Sequence, residues 1–237
     1  MKQRIIYQDL ESLSQAAAQY LLIKINECLL ARDRCILALS GGNTPKRLYE
    51  LMTNPVICKN IDWKKVWIVL VDERYVSPED DRSNAKMIFS TLIKHLPIPT
   101  KHVLIFDLTK KINLAAALFE KSVKKLAANK KNFIDIAILG LGNDGHTASL
   151  FPGDPILNEN KKWVSTSTSP DGLSRLTLTY PVLNAVRQRI FFISGNEKKA
   201  VMQNLFSSSG KKYPSHRLKA GSLFLCDLAA MGDPIEL

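Results

Sequence analysis

Residues Phe133 to Pro152 read FIDIAILGLGNDGHTASLFP. The run Ile134–Leu139, apolar except for Asp135, predicts a strand buried on both faces, as in a parallel sheet covered by helices. The run opens into the turn Gly140–Gly145, which delivers Asp144 and then His146 to the start of a short helical pattern. A buried strand that ends in a glycine-rich turn bearing polar residues predicts an α/β fold, because such sheets bind ligands at the carboxyl ends of their strands.

Gly140-Leu141-Gly142-Asn143-Asp144-Gly145 also matches the spacing of a dinucleotide loop. That reading requires a full helix after the turn, whereas Pro152 and Pro155 cut any helix short. Asp144 would also set a negative charge where a pyrophosphate should lie. His146 is one of four histidines and alone among them follows a glycine turn at a strand end. A histidine there can take a proton from water while a nearby carboxylate orients its ring. A helix-capping role for His146 and a nucleophilic role for Ser149 are the competing readings, although no GxSxG elbow exists.

Two further strand ends carry unusual residues. Cys35–Leu39 is a short buried run that leads into Ser40-Gly41-Gly42-Asn43-Thr44-Pro45, with a helix expected through Met52, Thr44 at its cap and Pro45 at its first position. Glycine-turned amides beside a helix start favour a phosphate or carboxylate. Val66–Val71 leads into Asp72-Glu73-Arg74, read either as paired carboxylates beside an anion-binding arginine or as a cluster that holds loops together. Lys198 and Lys199, which open a helix after Ile193-Ser194-Gly195, and Arg187 before that strand are further candidate cations.

The remaining pattern alternates strand with helix. Strands are expected at Arg4–Gln8 on an edge, Val103–Phe106, Trp163–Ser167, Arg175–Tyr180, Arg189–Ile193 and Leu223–Cys226, the last closing the sheet. Helices are expected from Asp9 to Cys28, Ser83 to His95, Asn113 to Asn129, Pro181 to Ala185 and Asn196 to Phe206. No linker or repeat interrupts them, so residues 1–237 are expected to form one domain: a mainly parallel, Rossmann-like sheet flanked by helices, with a more β-rich C-terminal portion.

Composition narrows the partners. Hydrophobic residues make up 46% of the chain and charged residues 23%, enough apolar material to fill a core. No run is long enough to span a membrane, and MKQRIIYQDLES turns polar too early for a signal peptide. The four cysteines show no CxxC or metal-ligand spacing with histidine, which suits reduced thiols in a cytoplasmic protein and no metal. A net charge of +11 comes from paired lysines such as Lys110–Lys111 and Lys124–Lys125. Aromatics are too few to interleave a nucleic-acid face, and a small anionic substrate accounts for the charge equally well.

Taken together, SGGNTPKRLYELM (40–52), VDERYV (71–76) with RSNAKM (82–87), ILGLGNDGHTASLFPG (138–153) and TLTYPVLNAVRQRIFFISGNEKKAVM (177–202) resemble the 6-phosphogluconolactonase family. The resemblance covers nearly the whole chain. It implies hydrolysis of 6-phosphoglucono-1,5-lactone without a cofactor, on a fold shared with glucosamine-6-phosphate deaminase and ribose-5-phosphate isomerase. It further implies His146 as general base with Asp144 beside it. Ser40, Gly41, Gly42, Thr44 and Asp72 would lie around the substrate, with Lys46, Arg74, Arg187 and Lys199 as cationic neighbours. The expected partner is the sugar-phosphate lactone alone, with neither nucleic acid nor membrane, and the chain a monomer or weak homo-oligomer. The sister deaminase/isomerase continues past its histidine to a glutamate where this chain has Phe151, which moves no protons. A sugar-phosphate sensor is the non-catalytic alternative. The stretch Pro214-Ser215-His216 to Leu223-Phe224-Leu225 departs from the family pattern.

Overall fold

A computed structural model describes residues 3–128, 133–207, 212–218 and 220–231. The apolar runs become a seven-stranded parallel sheet in the order β1 (Gln3–Tyr7), β10 (Ser222–Asp227), β9 (Gln188–Ile193), β6 (Ile136–Leu139), β2 (Cys35–Leu39), β3 (Val66–Leu70) and β5 (Val103–Leu104). Every residue of β2, β6 and β10 is buried, as strands covered on both faces require. Hence the chain is α/β, with helices packed on the sheet.

β4 (Asp72–Arg74), β8 (Ser174–Leu178) and β7 (Val164–Thr168) form a separate antiparallel sheet. Val71 joins the two sheets: its N–H donates to Leu39 O, and its carbonyl accepts from Leu178 N. This second sheet is the β-rich portion expected of the C-terminal half. It also captures Asp72–Arg74 as a strand rather than a loop, because Glu73 and Arg74 pair with Leu176 and Arg175.

The long helix α1 (Leu10–Arg32) starts at a capping box. Asp9 accepts from Ser12 N at 2.8 Å, and Ser12 Oγ accepts from Asp9 N at 3.2 Å. Its buried stripe includes Leu13, Ala17, Leu21 and Ile25, and it stops where Asp33 turns left-handed with φ 56. The helices α2 (Lys46–Met52), α3 (Pro55–Cys58), α4 (Asn84–Thr91), α5 (Ile112–Ala127), α6 (Tyr180–Asn184), α7 (Lys199–Phe206) and α8 (Leu228–Met231) complete the layers. No helix among the described residues is long and apolar enough to cross a membrane.

Several expectations shift. Thr44 does not cap α2; Pro45 occupies that position without a side-chain cap. α4 ends at Thr91, and Ile93–His95 forms a separate 3-10 turn. No helix starts at His146. Thr147 and Leu150 bridge instead, with Ala148 left-handed at φ 52. β10 lies inside the sheet, and β1 takes the edge beside it. Asn129, the expected end of α5, lies outside the described residues.

The strand order places the site. From β2 the chain builds outward through β3 and β5, then returns to the other side of β2 as β6 and continues to β9. The direction reverses between β2 and β6, which opens a crevice at their carboxyl ends.

Candidate active site

The turn after β6 is built around one histidine. Gly142 N donates to His146 O at 2.8 Å, and Gly145 N donates to Gly142 O at 2.9 Å. Gly145 has φ +80, and a Cβ there would lie 2.1 Å from the Tyr213 ring, so the turn admits only glycine at this position. The fold-back brings His146 Nδ1 to 2.6 Å from Asp144 Oδ1, which also accepts from His146 N at 3.1 Å. An ionised carboxylate can only accept, so Nδ1 carries the proton and Nε2 is left as the basic nitrogen. Burial pushes the Asp144 carboxyl up, but the hydrogen bonds from the His146 ring and amide outweigh it and hold it below the usual carboxylate range. The Phe151 ring packs on the imidazole, with centroids 4.6 Å apart.

His146 lines a cavity of about 270 Å³ at the carboxyl ends of β2, β6 and β9. Ser40, Gly41, Gly42 and Thr44 form one wall, as their place at the strand end predicts. Gly41 is dictated by close approach, since a Cβ would sit 1.9 Å from Asn84 Oδ1. Asp144 stands behind the imidazole rather than on the wall.

The structure separates Asp72 from Glu73. Asp72 lines the cavity, and its Oδ2 accepts from Ser149 Oγ at 2.6 Å. Ser149 Oγ therefore donates to Asp72 and is not paired with His146. Glu73 is fully buried and faces the other way. Its carboxylate accepts from the N–H groups of Asn84 and Ala85, both at 2.7 Å, and from Ser83 Oγ at 3.1 Å. It holds down the amino end of α4, where a negative charge is favoured, although burial pushes its pKa up.

Among the described residues, three cations reach the cavity: Arg74, Arg175 and Lys198. Arg74 and Arg175 are directly paired across β4 and β8, an arrangement of like charges that an anion relieves. Burial, and then the nearby Arg74 charge, lower the pKa of Arg175. Lys198 Nζ donates to Asn143 Oδ1 at 2.7 Å and so touches the His146 turn itself; burial lowers its pKa.

The other expected cations are placed elsewhere. Lys46 is exposed at the start of α2 and is not on the wall. Lys199 opens α7 and is also off the wall, because the 3-10 turn Asn196–Lys198 directs its predecessor inward. Arg187 lies at the opposite end of the sheet. It precedes β9, and in a parallel sheet the residue before a strand is far from the residues after its neighbours. Arg187 Nε is 3.5 Å from Asp135 Oδ1, an oxygen shared with Arg32 Nε at 3.0 Å. Arg175 was visible in the sequence only as part of a strand, and its partnership with Arg74 is a product of register.

Cys28, Cys35 and Asp135 offer ligand atoms within 4.8 Å of one another. The carboxylate there is already engaged by both arginines and by Ile36 N at 2.9 Å, and the cluster lies at the amino ends of the strands, away from the cavity.

Residues 8–225 match the family model described as glucosamine-6-phosphate isomerases/6-phosphogluconolactonase. The chain is 31% identical over 230 residues to a 6-phosphogluconolactonase of Nostoc sp., covering 94% of both chains. It is 32% identical over 203 residues to one from Rhizobium meliloti, covering 83% of this chain and 84% of that one. A solved 6-phosphogluconolactonase from Trypanosoma cruzi superposes with a TM-score of 0.86 at 25% identity, covering 100% of this chain and 98% of the other. One from Leishmania guyanensis gives 0.81 at 26% identity with full coverage of both.

Proposed function

The chain belongs to the glucosamine-6-phosphate isomerase/6-phosphogluconolactonase family, and we propose that it hydrolyses 6-phosphoglucono-1,5-lactone to 6-phosphogluconate with His146 as general base. The observation that carries this reading is the 2.6 Å Asp144–His146 contact, which leaves Nε2 basic beside a cavity that holds three cations.

His146 Nε2 takes a proton from a water molecule as that water attacks C1 of the lactone. Asp144 stabilises the imidazolium and holds its orientation. The carbonyl oxygen becomes an oxyanion in the positive field of the cavity, where preorganised charge lowers the barrier. When the C1–O5 bond breaks, the imidazolium returns its proton to O5, which becomes the C5 hydroxyl. The new carboxylic acid ionises in water. Arg74, Arg175 and Lys198 hold the phosphate, whose binding energy fixes the lactone against the base. A strained ester needs no covalent intermediate, and the reaction so written uses no cofactor. The whole chain acts as one catalytic domain, since the groups invoked run from Arg74 to Lys198.

Ring-opening isomerase chemistry needs a group that shuttles a proton beside His146, and Phe151 puts an apolar ring there. The test is lactone made in place from glucose 6-phosphate by its dehydrogenase, with decay followed against the spontaneous rate. His146→Ala is expected to lower turnover ~10²-fold or more with the fold intact. A folded variant of near-normal turnover would sink the assignment.

A further inference from the structure

β9 and β10 run parallel with Cys226 registered opposite Ile193. β9 ends at Ile193, so Asp227, the last residue of β10, comes level with Ser194 just beyond it. Both stand at the carboxyl ends of the sheet, and Ser194 lines the cavity.

Asp227 is only 3% exposed, and a buried carboxylate is costly unless donors surround it. Three do. Oδ1 accepts from Gly195 N at 3.2 Å and from Ala230 N at 2.8 Å, and Oδ2 accepts from Ser194 Oγ. The bond from Ala230 caps the four-residue helix α8. Capping requires neither of the other two, which go instead to the turn that leaves β9.

That turn carries Lys198. Gly195 adopts φ +106, and its carbonyl accepts from Lys198 N at 3.0 Å, which closes the 3-10 turn Asn196–Lys198. α8 packs on the same turn. At the far end of the side chain, Lys198 Nζ meets Asn143 Oδ1 at 2.7 Å and Glu197 Oε1 at 3.9 Å. A lysine ammonium rides on a flexible four-carbon stem, so its placement depends on the backbone that carries it.

We propose that Asp227 is a positioning residue. By holding Ser194 and Gly195 through hydrogen bonds, it sets the turn that aims Lys198 into the cavity, and so governs affinity for the phosphate of the lactone without touching substrate. This rests on the lactonase reading above, in which Lys198 binds that phosphate.

The test measures kcat, KM and melting temperature on lactone generated in place by the dehydrogenase. It uses wild type, Asp227→Ala, Asp227→Asn, Lys198→Met and the double variant Asp227→Ala/Lys198→Met. Asp227→Ala is expected to raise KM about tenfold, the worth of one charge-assisted hydrogen bond, with kcat near wild type. Asp227→Asn should keep KM near wild type, because its amide oxygen still accepts from Gly195 and Ala230 while its nitrogen donates to Ser194 Oγ. In the Lys198→Met background Asp227→Ala should raise KM no further, since residues that act through one group are not additive. An equal rise in both backgrounds marks a general structural role and overturns the proposal. So does a folded Asp227→Ala with wild-type KM, a loss confined to kcat, or an Asp227→Asn as impaired as Asp227→Ala. If Asp227→Ala does not fold, Ser194→Ala, which removes one of the three donors, takes its place: a rise in KM must appear and must vanish in the Lys198→Met background, or the proposal fails. A wild-type chain that does not speed lactone decay removes the lactonase reading and this proposal with it, whereas an active wild type with additive variants removes this proposal alone.

Discussion

Gly142→Ala isolates the Asp144–His146 geometry without touching either residue. A Cβ at position 142 would lie 2.1 Å from His146 Nδ1, 2.2 Å from Cε1 and 2.7 Å from Asp144 Oδ1. Carbon and ring atoms settle at about 3.5–4.0 Å, so the imidazole must retreat by more than an ångström or break from Asp144. The backbone is not the obstacle, since Gly142 is not among the left-handed glycines. A displacement of roughly 1 Å at a reacting group costs about 10²-fold, equivalent to about 2.7 kcal/mol of barrier. The atoms that the Cβ displaces belong to the base and its carboxylate and not to the cations assigned to the phosphate, so the loss should fall on kcat and leave KM near wild type. The assay is the coupled lactone decay, run beside circular dichroism and thermal melting. Gly140→Ala is the comparison, because a Cβ there meets nothing within 4 Å and leaves the Asp144–His146 pair in place. Its effect on kcat should be small. A folded Gly142→Ala enzyme with wild-type kcat would refute the claim that the imidazole position governs catalysis.

Arg175→Met should raise KM for the lactone about 10- to 100-fold with a smaller change in kcat, because phosphate binding is remote from the bond that breaks. Arg187→Met, read in the same steady-state assay, should leave both constants unchanged and lower only the melting temperature. For Asp144→Asn the pH dependence of stability is the readout. The folded pKa of Asp144 is depressed below its ordinary 3.8, so its stabilisation is complete above that value and is lost as pH falls through the folded pKa. Urea unfolding from about pH 7 to pH 3 should therefore show the variant less stable than wild type near neutrality, the gap narrowing only below 3.8. A gap that closed well above that pH would contradict an ionised Asp144 held by the His146 ring and amide.

Much of this was legible from residues alone. Unbroken apolar runs such as Cys35–Leu39 and Ile136–Leu139 determined buried parallel strands, because only a strand covered on both faces can bury every side chain. The glycines and polar residues after them marked the ligand end. The spacing of Asp144 and His146 across Gly145 put carboxylate and imidazole together, since a turn is a local object whose geometry is encoded by neighbours in the chain. Phe151 argued against ring opening only through the resemblance, because the sister family carries a glutamate at that position.

The tertiary structure decided which charges share the cavity. Arg187 and Arg175 look alike in sequence, yet one precedes a parallel strand and faces Asp135, while the other is set opposite Arg74 by antiparallel register. Lys198 rather than Lys199 faces the cavity because a 3-10 turn precedes α7. Glu73 and Asp72 are adjacent, but strand alternation sends one beneath α4 and the other to the cavity wall. Such choices depend on strand order and register, which are fixed by the packing of the whole core and not by any segment. The sequence alone placed a histidine and its neighbouring carboxylate at a strand end; only the assembled sheet decided which cations stand across from them.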